Sequence, residues 1–589
     1  MESSRVSAPS RAATRLLELG LLLITPLIFY RGFSEQFTYV KLVLTEVLVL
    51  IGAAGLVLGL VWGRLRWPKD SRLCTPLALL VLAVLFSCWN SPVRALSFVE
   101  GEYFLCGPVW LLLLMTWGDG EPGVRRIAGL VALAGAIVAS IALAQWAGHD
   151  PLQFGGYHVE WGRLRAAMRL YSTFGNPNFV AGYLVGGIFL ALALTAASDS
   201  PIARMLSGMA VLVTFVAIIG TRSRGAWLGL AAGLLVARSF WKRERGDGAP
   251  APESKLSRGG VALGGWILPA GLLILVPSLA LQAQALLAHL EGRAYLWRAS
   301  WPMFTAHPLL GSGWGTFQLC FPELQAQFLG AHPEFARYWT HTRQLHNDPL
   351  QVLLEAGTFG LVALGWLLWT FGRDVRQTTS RTSRAERLWL GASAGGVTAI
   401  MIDSIFNFQL TIPPTLILLF TLLAIPQVLR PCDDDGAPRL DRPQRSGWRV
   451  LVRALASVLV FATVALLALG IARRAIAEHR LALGLGQEGR GDFAQAEQAF
   501  RAGLEHAPDD GPLHYGLSRA LYVQGQYPEA LREALLAQQK VADSHLEVLK
   551  ARIQDRMGYS SPALETYRHA LWLNPTLQSV RADIDRLTR

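Results

Sequence analysis

Charge is scarce in this sequence. Only 16% of its 589 residues are Asp, Glu, Lys or Arg, while 52% are hydrophobic; a soluble globular chain carries about 25% charge. That shortage excludes an ordinary water-soluble protein and points to a membrane one. Cysteine is also scarce. The five present (Cys74, Cys88, Cys106, Cys320, Cys432) form no C-x-x-C pair and have no histidine at ligand spacing, which argues against a structural zinc site. Cys88 and Cys106 would pair only if both reach the same membrane face. A cleavage site is missing as well. The first 30 residues have a basic start and an apolar run, but no small-x-small motif precedes "TPLIFYRG", so they read as a retained first span rather than a removed signal peptide. The net charge of +12 does not require nucleic acid, because basic cytoplasmic loops of a multi-span protein give the same excess; no nucleic-acid partner is expected.

Long apolar runs are abundant. A membrane-crossing helix needs about 20 predominantly apolar residues, and such runs fall near 14–30, 40–62, 75–89, 103–117, 125–146, 179–196, 204–220, 225–241, 260–282, 349–371, 388–407, 412–429 and 450–470. The fold class is therefore all-α, a polytopic bundle of 12–13 spans. With "SSRVSAPSRAATR" in the cytoplasm, alternation places "GRLRWPKDSR", "KRERGDGAPAPESKLSR", "GRDVRQTTSRTSRAER" and "RPCDDDGAPRLDRPQRSGWR" on that side, as the positive-inside rule asks. The opposite face receives residues 147–178, "TRSR" at 221–224, a long loop at about 283–348, and everything after the last span.

That last part repeats. Residues 477–577 align with a period of about 34 on Gly491/Gly525/Gly558 and Ala496/Ala530/Ala563, with aromatics at Phe493/Tyr527 and Phe500/Tyr567 and prolines at Pro508 and Pro575. Small residues at helix crossings followed by a helix-ending proline resemble the tetratricopeptide repeat. Such a solenoid presents a concave face to a peptide or protein; the plainer alternative is a stabilising helical cap. The domain reading is thus 1–430 for the membrane unit, 431–476 for a cytoplasmic linker and last span, and 477–589 for the repeats.

Ionisable residues at the edge of a membrane domain are functional candidates because they are costly there. Arg222 and Arg224 sit between two apolar helices with almost no polar spacer. They either snorkel to the interface or, set against the charge bias of that face, hold an anion. Arg293 and Arg298 accompany Trp297 and Trp301 before a glycine-rich turn; the tryptophans read first as interfacial anchors. His346, in "LHNDPL", is flanked by polar residues just before a span. A lone histidine is more often structural, but this imidazole stands where a lipid-borne substrate would arrive and could act as a general base. Arginine forks suit diphosphate oxygens.

Four stretches, "FGNPNFVAGYL" (174–184), "TRSRGAWLGL" (221–230), "GRAYLW…HPLLGSGWGTF" (292–317) and "LHNDPLQVLLEAGTFG" (345–360), resemble in order and spacing the signatures of the O-antigen ligase and polymerase superfamily. The likeness covers roughly 20–430, and members joined to tetratricopeptide repeats are familiar. It implies a metal-independent, cofactor-free, inverting glycosyltransferase of the bacterial inner membrane. Such an enzyme moves a glycan from undecaprenyl diphosphate to an acceptor at the periplasmic face. Carried over by motif, Arg224 and Arg293 would hold the diphosphate and His346 would activate the acceptor hydroxyl. Arg222, Arg298, Asn176, Asn178 and Asn347 are the expected substrate-binding positions. Near "IMIDSIFNFQLTIPP" (400–414) many relatives carry a histidine followed by an acidic residue; here Asp403 and Asn407 stand in that neighbourhood, and the likeness assigns them no role. The acceptor stays open among lipid A core, a growing glycan and a protein hydroxyl. From another class, a transporter would place charges at the bilayer midplane in broken helices, and Glu46 and Glu355 are the residues to weigh; a non-catalytic scaffold would tolerate alanine at His346 and Arg224.

Overall fold

A computed structural model describes residues 8–63, 65, 72–152, 170–241, 283–379, 383–430 and 447–589. Among them every regular element is helical. In the membrane unit these are α1 (Ala8–Glu18, continued by a π-helical turn to Ile24), α2 (Tyr39–Val61), α3 (Cys74–Asn90), α4 (Arg94–Trp117), α5 (Glu121–Trp146), α6 (Pro177–Ala197), α7 (Pro201–Gly220), α8 (Arg224–Trp241), α9 (Ala283–Ala306), α10 (Phe317–Ala331), α11 (Asp348–Thr379), α12 (Arg384–Ser404) and α13 (Pro413–Val428). Helix α14 (Gly447–Glu488) leads into α15 (Phe493–Leu504), α16 (Gly511–Val523), α17 (Tyr527–Gln538), α18 (Ser544–Arg556), α19 (Ser560–Leu573) and α20 (Gln578–Thr588). Among the described residues, seven helices are by themselves long and apolar enough to cross a membrane. Helices overlap all the expected spans except 260–282, which lies outside the described residues. Cys88 and Cys106 do not pair; both are buried free thiols.

Two features set the bundle. Helix α8 lies on α12 through a seam of small residues: a Cβ on Gly229 would come 2.4 Å from the Ala399 carbonyl oxygen, and one on Gly233 2.5 Å from that of Gly395. Small residues let backbones approach where no hydrophobic force separates helix from lipid. Helix α11 is broken at Gly357 (φ 68°, ψ −170°). The turn at 308–313 partners the groups this break releases. Thr358 N–H donates to Pro308 O (2.9 Å) and Phe359 N–H to Leu309 O (3.2 Å), while Leu354 O and Glu355 O accept from Ser312 (3.0 Å) and Gly313 (3.1 Å). Irregular backbone at membrane depth survives only when protein satisfies it in this way.

The expected loop at 283–348 is folded. Helices α9 and α10 and a 3-10 turn at Pro333–Tyr338 enclose a small apolar core of Tyr295, Phe317, Phe321, Leu345 and Leu354. Gln325 ties it, its Oε1 accepting from Tyr295 Oη (2.8 Å) and Thr340 N–H (3.0 Å). Trp297 packs on this core, whereas Trp301 is exposed.

Helix α14 crosses the expected boundary at 476/477 without interruption. Its apolar half is exposed, Leu459 and Leu466 at 69% and 70%, as a lipid-facing surface would be. Farther along, Arg474 pairs with Glu46 (3.3 Å) and Glu102 (3.0 Å), so Glu46 serves a helix contact. The repeats follow their period: Gly491, Gly525 and Gly558 adopt φ of +81°, +79° and +81°, and Ala496, Ala530 and Ala563 are fully buried. Within them His514 Nδ1 meets Glu533 Oε2 at 2.6 Å and His514 Nε2 meets Pro508 O at 2.8 Å. Burial opposes charge on both partners. Their hydrogen bond nonetheless raises the imidazole above its ordinary 6.5 and lowers the carboxyl below its ordinary 4.5.

Two outcomes are expected. Gly357→Ala should lower thermal stability in detergent, since its glycine-only backbone conformation alone costs another residue about 1–3 kcal/mol and the added Cβ would lie 2.2 Å from Leu309 O. Gly365→Ala, which meets no atom within 4 Å, should match wild type. The His514–Glu533 pair should contribute fully between about pH 4.5 and 6.5. Its contribution should fade above that window as the raised imidazole deprotonates, and below it as the lowered carboxyl protonates. The stability gap between wild type and Glu533→Gln, read by hydrogen exchange in α16, should therefore be wide at pH 6 and narrow at pH 8.5.

Candidate active site

The first motif forms a capped turn. Asn176 Oδ1 accepts from Asn178 N–H (2.9 Å) and opens α6, with Pro177 at its first position. The turn before it is held by Lys41, 1% exposed, whose ammonium donates to the carbonyls of Ile28, Phe37 (3.0 Å) and Thr173 (2.8 Å). All three of its donors are thereby used.

The second motif is a sharp reversal between α7 and α8. Ser223 N–H donates to Thr221 Oγ1 (3.3 Å), Trp227 Nε1 donates to Ile218 O (3.0 Å), and Arg222 takes the left-handed φ of 56°. A positive φ on a long side chain signals a conformation imposed by its surroundings. Arg222 is exposed; Arg224, half-buried, begins α8. Directly after it, a Cβ on Gly225 would lie 2.5 Å from Asp403 Oδ1, so the backbone one residue past Arg224 is seated against that carboxylate.

The fourth motif opens α11. Asn347 Oδ1 caps it by accepting from Leu350 N–H (2.9 Å), and Gln351 Oε1 accepts from Leu345 N–H (3.0 Å). Between them His346 also has a left-handed φ of 57°. Its ring stands edge-on to Phe408 at 4.7 Å, and its Nδ1 is buried without a hydrogen-bond partner. A buried imidazole nitrogen left unpaired is costly.

One short segment, 403–411, joins these three motifs. Asp403, fully buried, accepts from Asn407 Nδ2 (2.7 Å) and Gln409 Nε2 (2.6 Å). Gln409 Nε2 also reaches Asn178 O (3.1 Å). Leu410 N–H donates to Asp348 Oδ2 (3.0 Å), two residues past His346. Phe408 packs on both His346 and Phe179. Phe408 and Gln409 are site-building residues that sequence reasoning missed, and Asp403 is one it noted without a role. Their signal was a polar notch of Asp403, Asn407 and Gln409 inside an apolar run.

The third motif behaves differently. Arg293 on α9 is 7% exposed, its Nη1 is buried and unpartnered, and burial lowers its pKa to about 10, so the guanidinium still carries its charge at neutral pH. Among the described residues no hydrogen bond or ion pair joins it to His346 or to the 403–411 segment. Arg298 is exposed on the same helix. The motif meets the fourth through the backbone instead, at the Gly357 break.

Similarity to known proteins covers the second, third and fourth motifs. Residues 209–365 match the family described as O-antigen ligase; the match contains Arg222, Arg224, Arg293, Arg298, His346 and Asn347 and leaves Asn176, Asn178 and Asp403 outside it. Residues 489–553 match the tetratricopeptide repeat. A search of curated proteins finds no match. The chain is thus similar to the O-antigen ligase family over residues 209–365 and to the tetratricopeptide repeat over residues 489–553.

Proposed function

We propose that this protein transfers a glycan from an undecaprenyl-diphosphate carrier to an acceptor hydroxyl at the periplasmic face of the bacterial inner membrane. The membrane unit 1–430 carries the chemistry, the N-terminus is cytoplasmic, and the repeats are periplasmic and available to a protein partner. The observation that carries this reading is the buried, unpartnered Nδ1 of His346, held on the same 403–411 segment that seats Arg224.

The chemistry runs without a metal or cofactor. His346 accepts the acceptor hydroxyl's proton as its oxygen bonds to the anomeric carbon. On the opposite face of the sugar the carbon–oxygen bond to the diphosphate breaks, and the electron pair leaves with undecaprenyl diphosphate. The configuration inverts. Guanidinium groups of Arg224 and Arg293 stabilise the growing negative charge by fixed, forked hydrogen bonds; the unpartnered Nη1 of Arg293 has capacity for one. Arg222 and Arg298, both exposed, draw in the anionic headgroup. The side-chain oxygens of Asn176 and Asn347 are occupied as caps, so their amide N–H groups, with the side chain of Asn178, are what a glycan would meet. Asp403 is a positioning residue acting through Gln409 and the backbone at Arg224.

In proteoliposomes supplied with undecaprenyl-diphosphate-linked glycan and EDTA, wild type should transfer. His346→Ala and Arg224→Ala should each lose at least ~100-fold, the span of general acid–base assistance. Full transfer by both variants would remove these residues from the site, and no transfer by wild type with any acceptor would favour a scaffold. Asp403→Leu should lower kcat by roughly 100-fold, as a displaced catalytic group does, with Asp403→Asn partly restoring it; equal loss in both would assign Asp403 a direct charge role instead.

A further inference from the structure

Lys41 is a buried charge in the membrane unit that the transfer chemistry leaves unused. It is 1% exposed, and among the described residues no acid pairs with it. Its hydrogen bonds all go to backbone, the carbonyls of Ile28, Phe37 and Thr173. A charge without a counter-charge is costly in a membrane domain. The three carbonyls come from three places: the chain just past α1, the loop before α2, and the turn that opens the first motif. Only lysine offers three donors from a single point, so its ammonium gathers these segments where no other side chain could.

The same loop is gripped from its other side by the helix that carries the repeats. Glu478 Oε1 accepts from Ser34 N–H (2.9 Å), from Glu35 N–H (3.3 Å) and from the Ser34 hydroxyl. His479 Nδ1 meets Gly32 O at 2.8 Å. Arg474, four residues before Glu478 and so on the same face of α14, holds Glu46 of α2. Around Glu478 the helix already belongs to the repeats: Ala477 and Leu481 are buried in one core with Phe500 and Leu513. Because α14 is continuous there, Glu478 moves with the first repeat.

From the loop the contacts run on to the candidate site. Gly175 has a φ of +71°, and a Cβ on it would lie 2.5 Å from the Phe37 ring, so only glycine permits this approach. Thr173 Oγ1 donates to Pro26 O (2.7 Å). The turn 171–176 thus takes its position from residues 26–41. Just beyond it, Asn178 O accepts from Gln409 Nε2 (3.1 Å) and Phe179 packs on Phe408, the ring that His346 meets. We infer that residues 26–41 are a strap through which the repeat array sets the active site, with Glu478 and Lys41 as its two positioning residues. Both act through the first motif. The effect on transfer rests on the transferase reading above; the coupling of the repeats to the turn does not.

Hydrogen exchange on the full-length protein in nanodiscs tests the strap without turnover. Glu478→Ala should speed exchange over the first-motif turn and the start of α6 at least ~5-fold, the lower end of coupling between sites. Glu478→Gln keeps an acceptor for both loop N–H groups and should match wild type, as should Arg501→Ala at an exposed repeat position. In transfer assays Glu478→Ala should raise KM for the lipid-linked glycan at least ~5-fold with kcat within about twofold, because the first motif binds rather than reacts. Lys41→Met should do the same, and the double variant should be no worse than Lys41→Met alone. If Lys41→Met does not fold, Thr173→Val, which cuts the bond to Pro26 O, takes its place. Unchanged exchange in Glu478→Ala, a loss that Glu478→Gln does not restore, additive effects of the two variants, or faster exchange with an unaltered KM would overturn the proposal. A wild type that transfers no glycan while Glu478→Ala still loosens the turn would keep the strap and refute the transferase; normal transfer by wild type with exchange indifferent to Glu478→Ala would do the reverse.

Discussion

A helix that breaks inside a membrane releases backbone donors and acceptors that lipid cannot satisfy. At Gly357 the turn 308–313 meets that demand with backbone groups of its own. The requirement is reciprocal. Gly311 and Gly357 each lie so close to the other strand's carbonyls that a Cβ at either would come within 2.2 Å of one. This lock fixes where α11 begins, and so the height of His346. It also seats the small core of α9 and α10 over the bundle. The third and fourth sequence motifs are two halves of one backbone junction.

The second constraint is the segment 403–411. A buried carboxylate is tolerated only when hydrogen-bonded, and Asp403 obtains its bonds from Asn407 and Gln409 of its own segment. That folds the segment into a compact knot that reaches Asn178 on one side and Asp348 on the other. The small-residue seam between α8 and α12 brings Gly225 up to the knot from a third direction. The knot therefore relates groups far apart in sequence.

Much of this was legible from residues alone. The spans were visible because crossing a membrane demands an uninterrupted apolar length, and the repeats because Gly491, Gly525 and Gly558 need the same left-handed backbone at a fixed interval. His346 and the arginines stood out as charge at the edge of apolar runs. The folding of 283–348 did not. Its core residues Tyr295, Phe317, Phe321 and Leu345 are dispersed over fifty positions and converge only on α11. The role of Asp403 was hidden for a similar reason: its relation to Asn178 and Gly225 spans about two hundred residues, and no local pattern records such a contact. Cys88 and Cys106 show the converse, plausible partners by position whose thiols instead meet the carbonyls of Ser97 and Glu102.

The continuous helix α14 has a mechanical consequence. Forty-two residues at 1.5 Å each make a rod of about 60 Å, braced near its far end by Arg474 on two acids and by His479 Nδ1 against Gly32 O (2.8 Å). The solenoid it carries returns to the membrane unit, where Trp339 Nε1 donates to Leu573 O (2.9 Å), seven residues before His346. A repeat array anchored at both ends acts as a fixed gantry rather than a swinging arm. A partner docked on it would be held at one set distance from the membrane unit, so its effective concentration there would depend on where along the array it docks.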